Sequence, residues 1–243
     1  MAGGIVNSVA GGGGFFAFPA LLFTGVPSIN ANATGTVALW PGTLASTGAY
    51  RRALSAELLK RILPLIVITF LGSVFGSILL LKTGQATFDK LIPWLLLVAT
   101  LIFSFSNRVT AWVNRHHSGA GPSPKRVVGI TLLQACAAVY IGYFGAGAGF
   151  LIMTALALFG VEEMRALNSL KVTAACLSNF CAVVTFVAGG AIEWHYCIVS
   201  MVFAGIGGYT GAHYARRMDA GVLRSIVVVT GCAMAAYFFW RQS

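Results

Sequence analysis

The sequence of 243 residues contains little charge, and most of that charge has one sign. Asp, Glu, Lys and Arg make up 9% of the chain, and only 6 residues are acidic against 16 basic ones. A soluble domain carries roughly 25% charged residues, so this chain cannot cover a water-facing surface of its own size. About 20 apolar residues form one membrane-spanning helix, and 58% of the chain is hydrophobic. The scarcity of charge excludes a soluble enzyme and predicts an integral protein of the lipid bilayer.

The sequence also lacks the motifs of common catalytic and metal sites. Its five cysteines lie in apolar stretches without a C-x-x-C pair, and no G-x-S-x-G, H-E-x-x-H or P-loop pattern occurs. We therefore predict no enzymatic activity, no metal and no cofactor. The basic residues form short clusters between apolar runs, as the positive-inside bias produces in membrane proteins. Because they form no basic face with interleaved aromatic residues, nucleic acid is excluded as a partner.

One polar segment, 107–126, divides the apolar runs into two halves. Its Gly, Pro, Ser and charged residues are typical of a linker. At a constant offset of 135 residues the two halves align without a gap, so that Gly14 matches Gly149. We predict a first transmembrane repeat at 1–106 and a second transmembrane repeat at 127–243.

Each half contains a helix that is interrupted by glycine. As one helix, the apolar run 127–160 would be about 50 Å long, too long for a hydrocarbon core of about 30 Å. The run Gly145–Gly149 breaks it, and Gly11–Gly14 is the counterpart in the first half. Symmetric halves with interrupted helices are typical of secondary transporters. We therefore predict an all-α polytopic membrane protein with two repeated halves of about four transmembrane helices each.

The charge of the loops predicts their orientation. The 50–61 loop carries four basic residues, whereas its counterpart in the second half carries none, and the bias switches at 214–221. This switch predicts inverted repeats, with these two loops and the linker 107–126 in the cytoplasm. Arg126, where the second half begins, maps to a position before the first residue. The alignment therefore predicts a truncated N-terminal helix in the first half.

One charged side chain, Lys171, lies well inside a predicted span. A lysine that reaches the membrane interface is the structural alternative, but intramembrane charges usually mark substrate pathways. No carboxylate lies at a similar depth, so the cargo is predicted to be an anion. Helices that begin in glycine runs offer unpaired N–H groups to an anion, although such runs also permit close helix packing. The predicted substrate-binding residues are Gly13, Gly14, Asn32, Thr34, Gly147, Gly149, Asn168, Lys171 and Asn179.

The two blocks around the glycine runs resemble a known family. VNSVAGGGGFFAFPALLFTGVPSINANATGTVALWPGTLASTGAYRR and YIGYFGAGAGFLIMTALALFGVEEMRALNSLKVTAACLSNFCAVVTFVAGGAIEW are similar to the two signature motifs of the TauE/SafE (TSUP) sulfite-exporter family, particularly its YfcA-like branch. The resemblance covers essentially the whole chain. It implies an inner-membrane protein of two repeated halves that moves small anions such as sulfite or organosulfonates. The signature positions that it carries over are Gly13, Gly14, Pro19, Asn32, Thr34, Pro41, Gly147, Gly149, Asn168, Lys171 and Asn179.

The sequence thus predicts a secondary transporter that exports a small anion such as sulfite or an organosulfonate. In this hypothesis the two repeats rock against each other, so that access to the site alternates. The predicted partners are the small anionic substrate and the bilayer, and homo-oligomer formation is left open. Two alternatives remain: a non-transporting membrane scaffold or assembly protein, and an anion channel whose flux does not saturate.

Overall fold

The computed structural model describes residues 1–10, 12–50, 56–115, 124–146, 149–159, 164–214 and 220–242. Within these ranges the chain forms ten α-helices and no strand, which confirms the all-α class. The helices are α1 (Ala2–Ala10), α2 (Gly14–Phe23), α3 (Ser28–Tyr50), α4 (Ala56–Lys82), α5 (Gln85–Arg115), α6 (Pro124–Tyr143), α7 (Gly149–Leu158), α8 (Met164–Ala188), α9 (Trp194–Tyr214) and α10 (Ala220–Gln242).

Length and composition of the helices fit a bilayer. In the described part of the chain, three stretches are long and apolar enough to cross a membrane: Ile62–Lys82, Gln85–Phe105 and Ser169–Ala188. The outer surface carries many exposed large hydrophobic side chains, such as Phe75 on α4 and Phe203 on α9. Such a surface suits hydrocarbon, which offers no hydrogen bonds and so favours helices with internally bonded backbones. The chain is an integral membrane protein with several membrane helices.

The linker is narrower than the sequence predicts. Helix α5 continues to Arg115 and α6 already begins at Pro124, so both ends of the predicted segment 107–126 are helical. Residues 107–115 contain neither Gly nor Pro, and the α5 helix therefore meets no helix breaker there. The connection between the two helices falls within 116–123, which lies outside the described residues.

The glycine breaks are present as predicted. Helix α6 ends at Tyr143, Gly145 has a φ of +76°, and α7 begins at Gly149. The positive φ places Gly145 in a conformation that side chains disfavour, which ends the helix there. In the first half, α1 ends at Ala10 and α2 begins at Gly14. Helices α2 and α7 have 10 residues each, about 15 Å of length, which is half the thickness of the hydrocarbon core.

The helix bounds agree with the predicted offset of 135 residues. Helices α2 and α7 begin and end at matching positions, Gly14–Phe23 and Gly149–Leu158, and Gln85 at the start of α5 matches Ala220 at the start of α10. The agreement supports the duplication, which stays a prediction because bounds alone do not establish a common structure for the halves.

The closest helix packing joins one half of the sequence to the other. Helix α6 packs on α4 so tightly that a Cβ on Gly142 would overlap the Ser73 carbonyl, and a Cβ on Gly76 would overlap the Val139 carbonyl. Helix α1 packs on α9 in the same way, with Gly4 against the Ala204 carbonyl. Small residues at such contacts let backbones approach and are the main cause of helix association in membranes.

Two bundles result, and each combines helices from both halves. Helices α1, α2, α3 and α9 pack together as the first bundle, and helices α4, α6, α7 and α8 as the second bundle. The second bundle has its own buried core, with residues from all four helices such as Ile62, Ile141, Ile152 and Leu170. The bundles contact each other mainly where α3 meets α8, while α5 packs on α10. Each bundle therefore contains helices from both of the halves that the sequence predicts.

Candidate functional site

A cavity of about 340 Å³ lies between the two bundles. The first bundle contributes residues from α1, α2 and α3, and the second contributes the end of α6, the break after it, α7 and α8. Both glycine-interrupted helices thus open into one space. Five of the predicted substrate-binding residues line it: Gly14, Asn32, Gly149, Lys171 and Asn179.

Lys171 supplies a positive charge to this cavity. It is partly buried in α8, and a Cβ placed on Gly149 would lie 3.7 Å from its Cδ atom. The lysine side chain therefore passes directly beside the first residue of α7. The first N–H groups of a helix lack intrahelical partners and carry the positive end of the helix dipole. A positive charge beside a helix N-terminus is an arrangement that favours anions.

The glycine break in the first half also lies at this cavity, next to the break in the second half. A Cβ placed on Gly14, the first residue of α2, would lie 3.6 Å from the Cβ of Ala146. Gly13 precedes α2 and makes no side-chain cap hydrogen bond. Phe18 and Phe144 pack edge to face beside this contact, with ring centroids 5.4 Å apart. The N-termini of α2 and α7 thus border one cavity, which is the arrangement predicted for the two breaks.

Helix α3 lines the cavity with a row of mostly polar residues that sequence reasoning largely missed. Its members Asn32, Thr36, Leu39, Thr43 and Ser46 follow one another at alternating steps of four and three residues. That spacing places all of them on one helix face, and it is the signal in the sequence that identifies Thr43 and Ser46. The Asn32 amide donates a hydrogen bond to the Tyr143 carbonyl at 3.1 Å, which links α3 to the end of α6. Asn7 of α1 also lines the cavity and was not predicted.

The structure does not bring every predicted residue to the cavity. Thr34 is fully buried, and its hydroxyl oxygen accepts a hydrogen bond from the Glu193 N–H at 3.0 Å. Gly13 packs against α1, where a Cβ would come within 2.6 Å of both Asn7 Cβ and the Gly3 carbonyl oxygen. Both residues hold helices together instead of lining the cavity. Gly147 and the side chain of Asn168 lie outside the described part of the chain.

Helices α3 and α8 cross beside the cavity at corresponding positions. The Trp40 indole N–H donates to the Cys176 carbonyl at 3.2 Å, and its ring centroid lies 5.6 Å from that of Phe180. At the predicted offset Trp40 corresponds to Ala175, which is the residue next to Cys176. Thr36 corresponds to Lys171 at the same offset, and both line the cavity. The two helices therefore meet close to positions that the predicted repeat pairs, and only the second of these positions carries a charge.

Comparison with known proteins decides the family. The model of the family described as "Sulfite exporter TauE/SafE" matches residues 1–238. The chain belongs to the TauE/SafE family. The resemblance expected from the glycine-containing blocks is thereby confirmed over nearly the whole chain. Membership places the chain among membrane transporters.

Curated relatives agree with this assignment. A "Probable membrane transporter protein" of Haemophilus influenzae is 28% identical over 241 residues, covering 98% of this chain and 90% of the relative. The "Probable membrane transporter protein YfcA" of Escherichia coli K12 is 26% identical over 240 residues, covering 97% and 85%. The Sinorhizobium "Probable membrane transporter protein ORF9" is 28% identical over 237 residues, covering 96% and 86%. No solved structure matches the chain.

Proposed function

We propose that the chain is a secondary transporter of the inner membrane that exports a small anion, such as sulfite or an organosulfonate, by alternating access. The observation that carries the proposal is the position of Lys171 beside the N-terminus of α7, in a cavity between the two bundles. The family name supports a sulfur oxyanion. The proposed binding residues are Lys171, Gly149, Gly14, Asn32 and Asn179.

The two bundles are the proposed moving units. The glycine–carbonyl contacts between α4 and α6 allow no sliding, because backbone atoms already touch. The cavity, in contrast, lies at the boundary between the bundles, where the contacts are side-chain contacts such as the bonds from Asn32 and Trp40. Alternating access proceeds by rigid-body rocking of one unit against another around a fixed site. The repeats of the sequence, 1–106 and 127–243, each contribute three helices to one bundle and α4 or α9 to the other.

The proposed topology supports export as the direction of transport. With the loop after α3 in the cytoplasm, the polar row from Asn32 to Ser46 extends the cavity toward the cytoplasmic end of α3. At the other end of this row, the Asn32 amide donates to the Tyr143 carbonyl. In the proposed topology, an opening of the cavity along this row would suit loading from the cytoplasm. A negative-inside potential favours export of an anion by about 2.3 kcal/mol per charge per 100 mV, so export needs no coupling ion.

The test is efflux from proteoliposomes that contain the purified full chain under an imposed potential. Radiolabelled sulfite and a panel of sulfonates are the probes. We expect saturable efflux and counterflow, both abolished in Lys171→Met. Lys90→Met is the matched control, because Lys90 is an exposed lysine of α5 outside the cavity. Flux that does not saturate and shows no counterflow would favour the channel. If the folded protein transports none of the anions, the non-transporting scaffold becomes the favoured alternative.

A further inference from the structure

We infer that the substrate carries two groups: an anionic head and, a few atoms away, a hydrogen-bond donor such as an ammonium or hydroxyl group. Short amino- or hydroxy-substituted sulfonates and carboxylates have this chemistry. The inference rests on the proposed function, because it assumes that the cavity binds the cargo. It concerns the part of the cavity wall that α3 forms.

The wall formed by α7 and α8 presents positive charge and donors. Lys171 and the N-terminus of α7 at Gly149 adjoin each other there. A lysine ammonium has three donors and no acceptor, and the first turn of a helix offers only N–H groups. In this inference, the wall binds the anionic head of the substrate. It offers no hydrogen-bond acceptor to a donor group on the substrate.

The wall formed by α3 presents acceptors. The hydroxyl of Thr36 donates to the Asn32 carbonyl at 2.9 Å, and the hydroxyl of Thr43 donates to the Trp40 carbonyl at 2.7 Å. The hydroxyl of Ser46 donates to the Gly42 carbonyl at 2.9 Å. A hydroxyl whose proton is already donated offers only its oxygen lone pairs to a ligand. Three such acceptors in one row favour the N–H or O–H groups of a ligand over the oxygens of an anion.

The size of the cavity agrees with a ligand that spans both walls. Small-molecule sites range from about 300 to 1,000 Å³, and this cavity of about 340 Å³ is inside that range. A bare oxyanion held by Lys171 has no group to offer the hydroxyl row and gains nothing from it. A substrate with a donor end satisfies both walls at once. Sites that hydrogen-bond a substrate hydroxyl or amine discriminate strongly against analogues that lack it.

The test compares three sulfonates that differ only at the second carbon: ethanesulfonate, 2-hydroxyethanesulfonate and 2-aminoethanesulfonate. Their affinities are measured by calorimetry on the full chain in lipid nanodiscs. We expect the hydroxy and amino compounds to bind about tenfold more tightly than ethanesulfonate, the factor expected from one well-formed hydrogen bond. Lys171→Met should abolish binding of all three.

The decisive variant combines Thr36→Val, Thr43→Val and Ser46→Ala, which removes the acceptor row. We expect it to bind all three sulfonates equally, with the affinity for ethanesulfonate unchanged, which also verifies the fold. Thr47→Val is the matched control, since the Thr47 hydroxyl bonds to the Thr43 carbonyl but does not line the cavity. It should keep the tenfold preference.

Two results would overturn the inference while leaving the proposed function intact. One is equal affinity for the three sulfonates in the unaltered protein. The other is a preference that survives in the triple variant, because the donor group would then be recognised elsewhere. If none of the three sulfonates nor sulfite binds to the unaltered protein, the proposed function itself fails, and the inference fails with it.

Discussion

Lys171 and Gly149 lie against each other where α8 passes the first residue of α7. A Cβ on Gly149 would be 3.7 Å from the lysine Cδ, an ordinary van der Waals distance. Glycine at this position leaves the lysine stem close to the helix N-terminus, so charge and dipole act on the same point of the cavity. Lys171 is the predicted intramembrane charge and Gly149 is the last residue of the predicted glycine break. The fold brings them together although they are 22 residues apart in the sequence.

The space beside Gly149 gives a graded prediction for transport. Gly149→Ala adds only a Cβ at contact distance and should retain most of the efflux rate. Gly149→Leu adds branched atoms beyond that Cβ, which displace the lysine stem. A shift of about 1 Å in a binding group can cost about 100-fold in rate. Initial efflux rates from proteoliposomes measure the effect, and equal rates for both variants would contradict the placement of Lys171.

Thr34 should affect stability and leave substrate affinity unchanged. Thr34→Val removes the acceptor of the Glu193 N–H, which costs about 1–2 kcal/mol for an interhelical hydrogen bond in a membrane protein. We expect a lower thermal unfolding midpoint in detergent with an unchanged KM for efflux. Thr36→Val, two residues away on the cavity face, is the comparison and should keep the midpoint. A raised KM in Thr34→Val but not in Thr36→Val would show that Thr34 takes part in substrate binding.

Replacing either of two glycines of α6 by alanine should change the stability of the protein, in opposite directions. A Cβ on Gly142 would overlap the Ser73 carbonyl, whereas a Cβ on Gly129 has no neighbour within 4 Å. Gly142→Ala should therefore destabilise the protein by about 1–3 kcal/mol through overpacking. Gly129→Ala should stabilise it by up to about 1 kcal/mol through helix propensity. Unfolding midpoints measured side by side check the pair, and a neutral Gly142→Ala would contradict the tight joint between α4 and α6.

Much of the fold follows from patterns within single helices. Hydropathy predicts the membrane class and approximate positions of the apolar helices, because each span needs its own run of apolar residues. The glycine breaks are also visible, since Gly145 needs a φ that other residues disfavour. The sequence overestimates the linker because charged residues such as Arg108 signal the end of a membrane span, while the helix itself continues to Arg115.

Features that depend on contacts between distant segments could not be predicted. The pairing of α6 with α4 and of α1 with α9 depends on which small residues meet, and many glycines compete for that role. Thr34 looks like a ligand because it is polar inside a membrane helix, yet its partner is a backbone N–H 159 residues away. Thr43 and Ser46 could have been found from their helical spacing to Asn32, had the spacing been extended along all of α3.

The central claim is that two bundles move against each other around the cavity, and one disulfide tests it most directly. Gly14→Cys with Ala146→Cys joins the first bundle to the break of the second, at a Cβ–Cβ distance of 3.6 Å that suits a disulfide. Both changes are made in a variant whose five native cysteines are replaced by alanine. Gly3→Cys with Phe16→Cys, at 3.5 Å within the first bundle, is the matched control.

The measurement is counterflow of a labelled sulfonate in proteoliposomes, before oxidation, after oxidation and after reduction. We predict that oxidation stops counterflow in the Gly14/Ala146 variant, that reduction restores it, and that the Gly3/Phe16 variant transports in all three states. Undiminished counterflow with the Gly14–Ala146 disulfide formed would contradict the account, since the two bundles would then not need to separate.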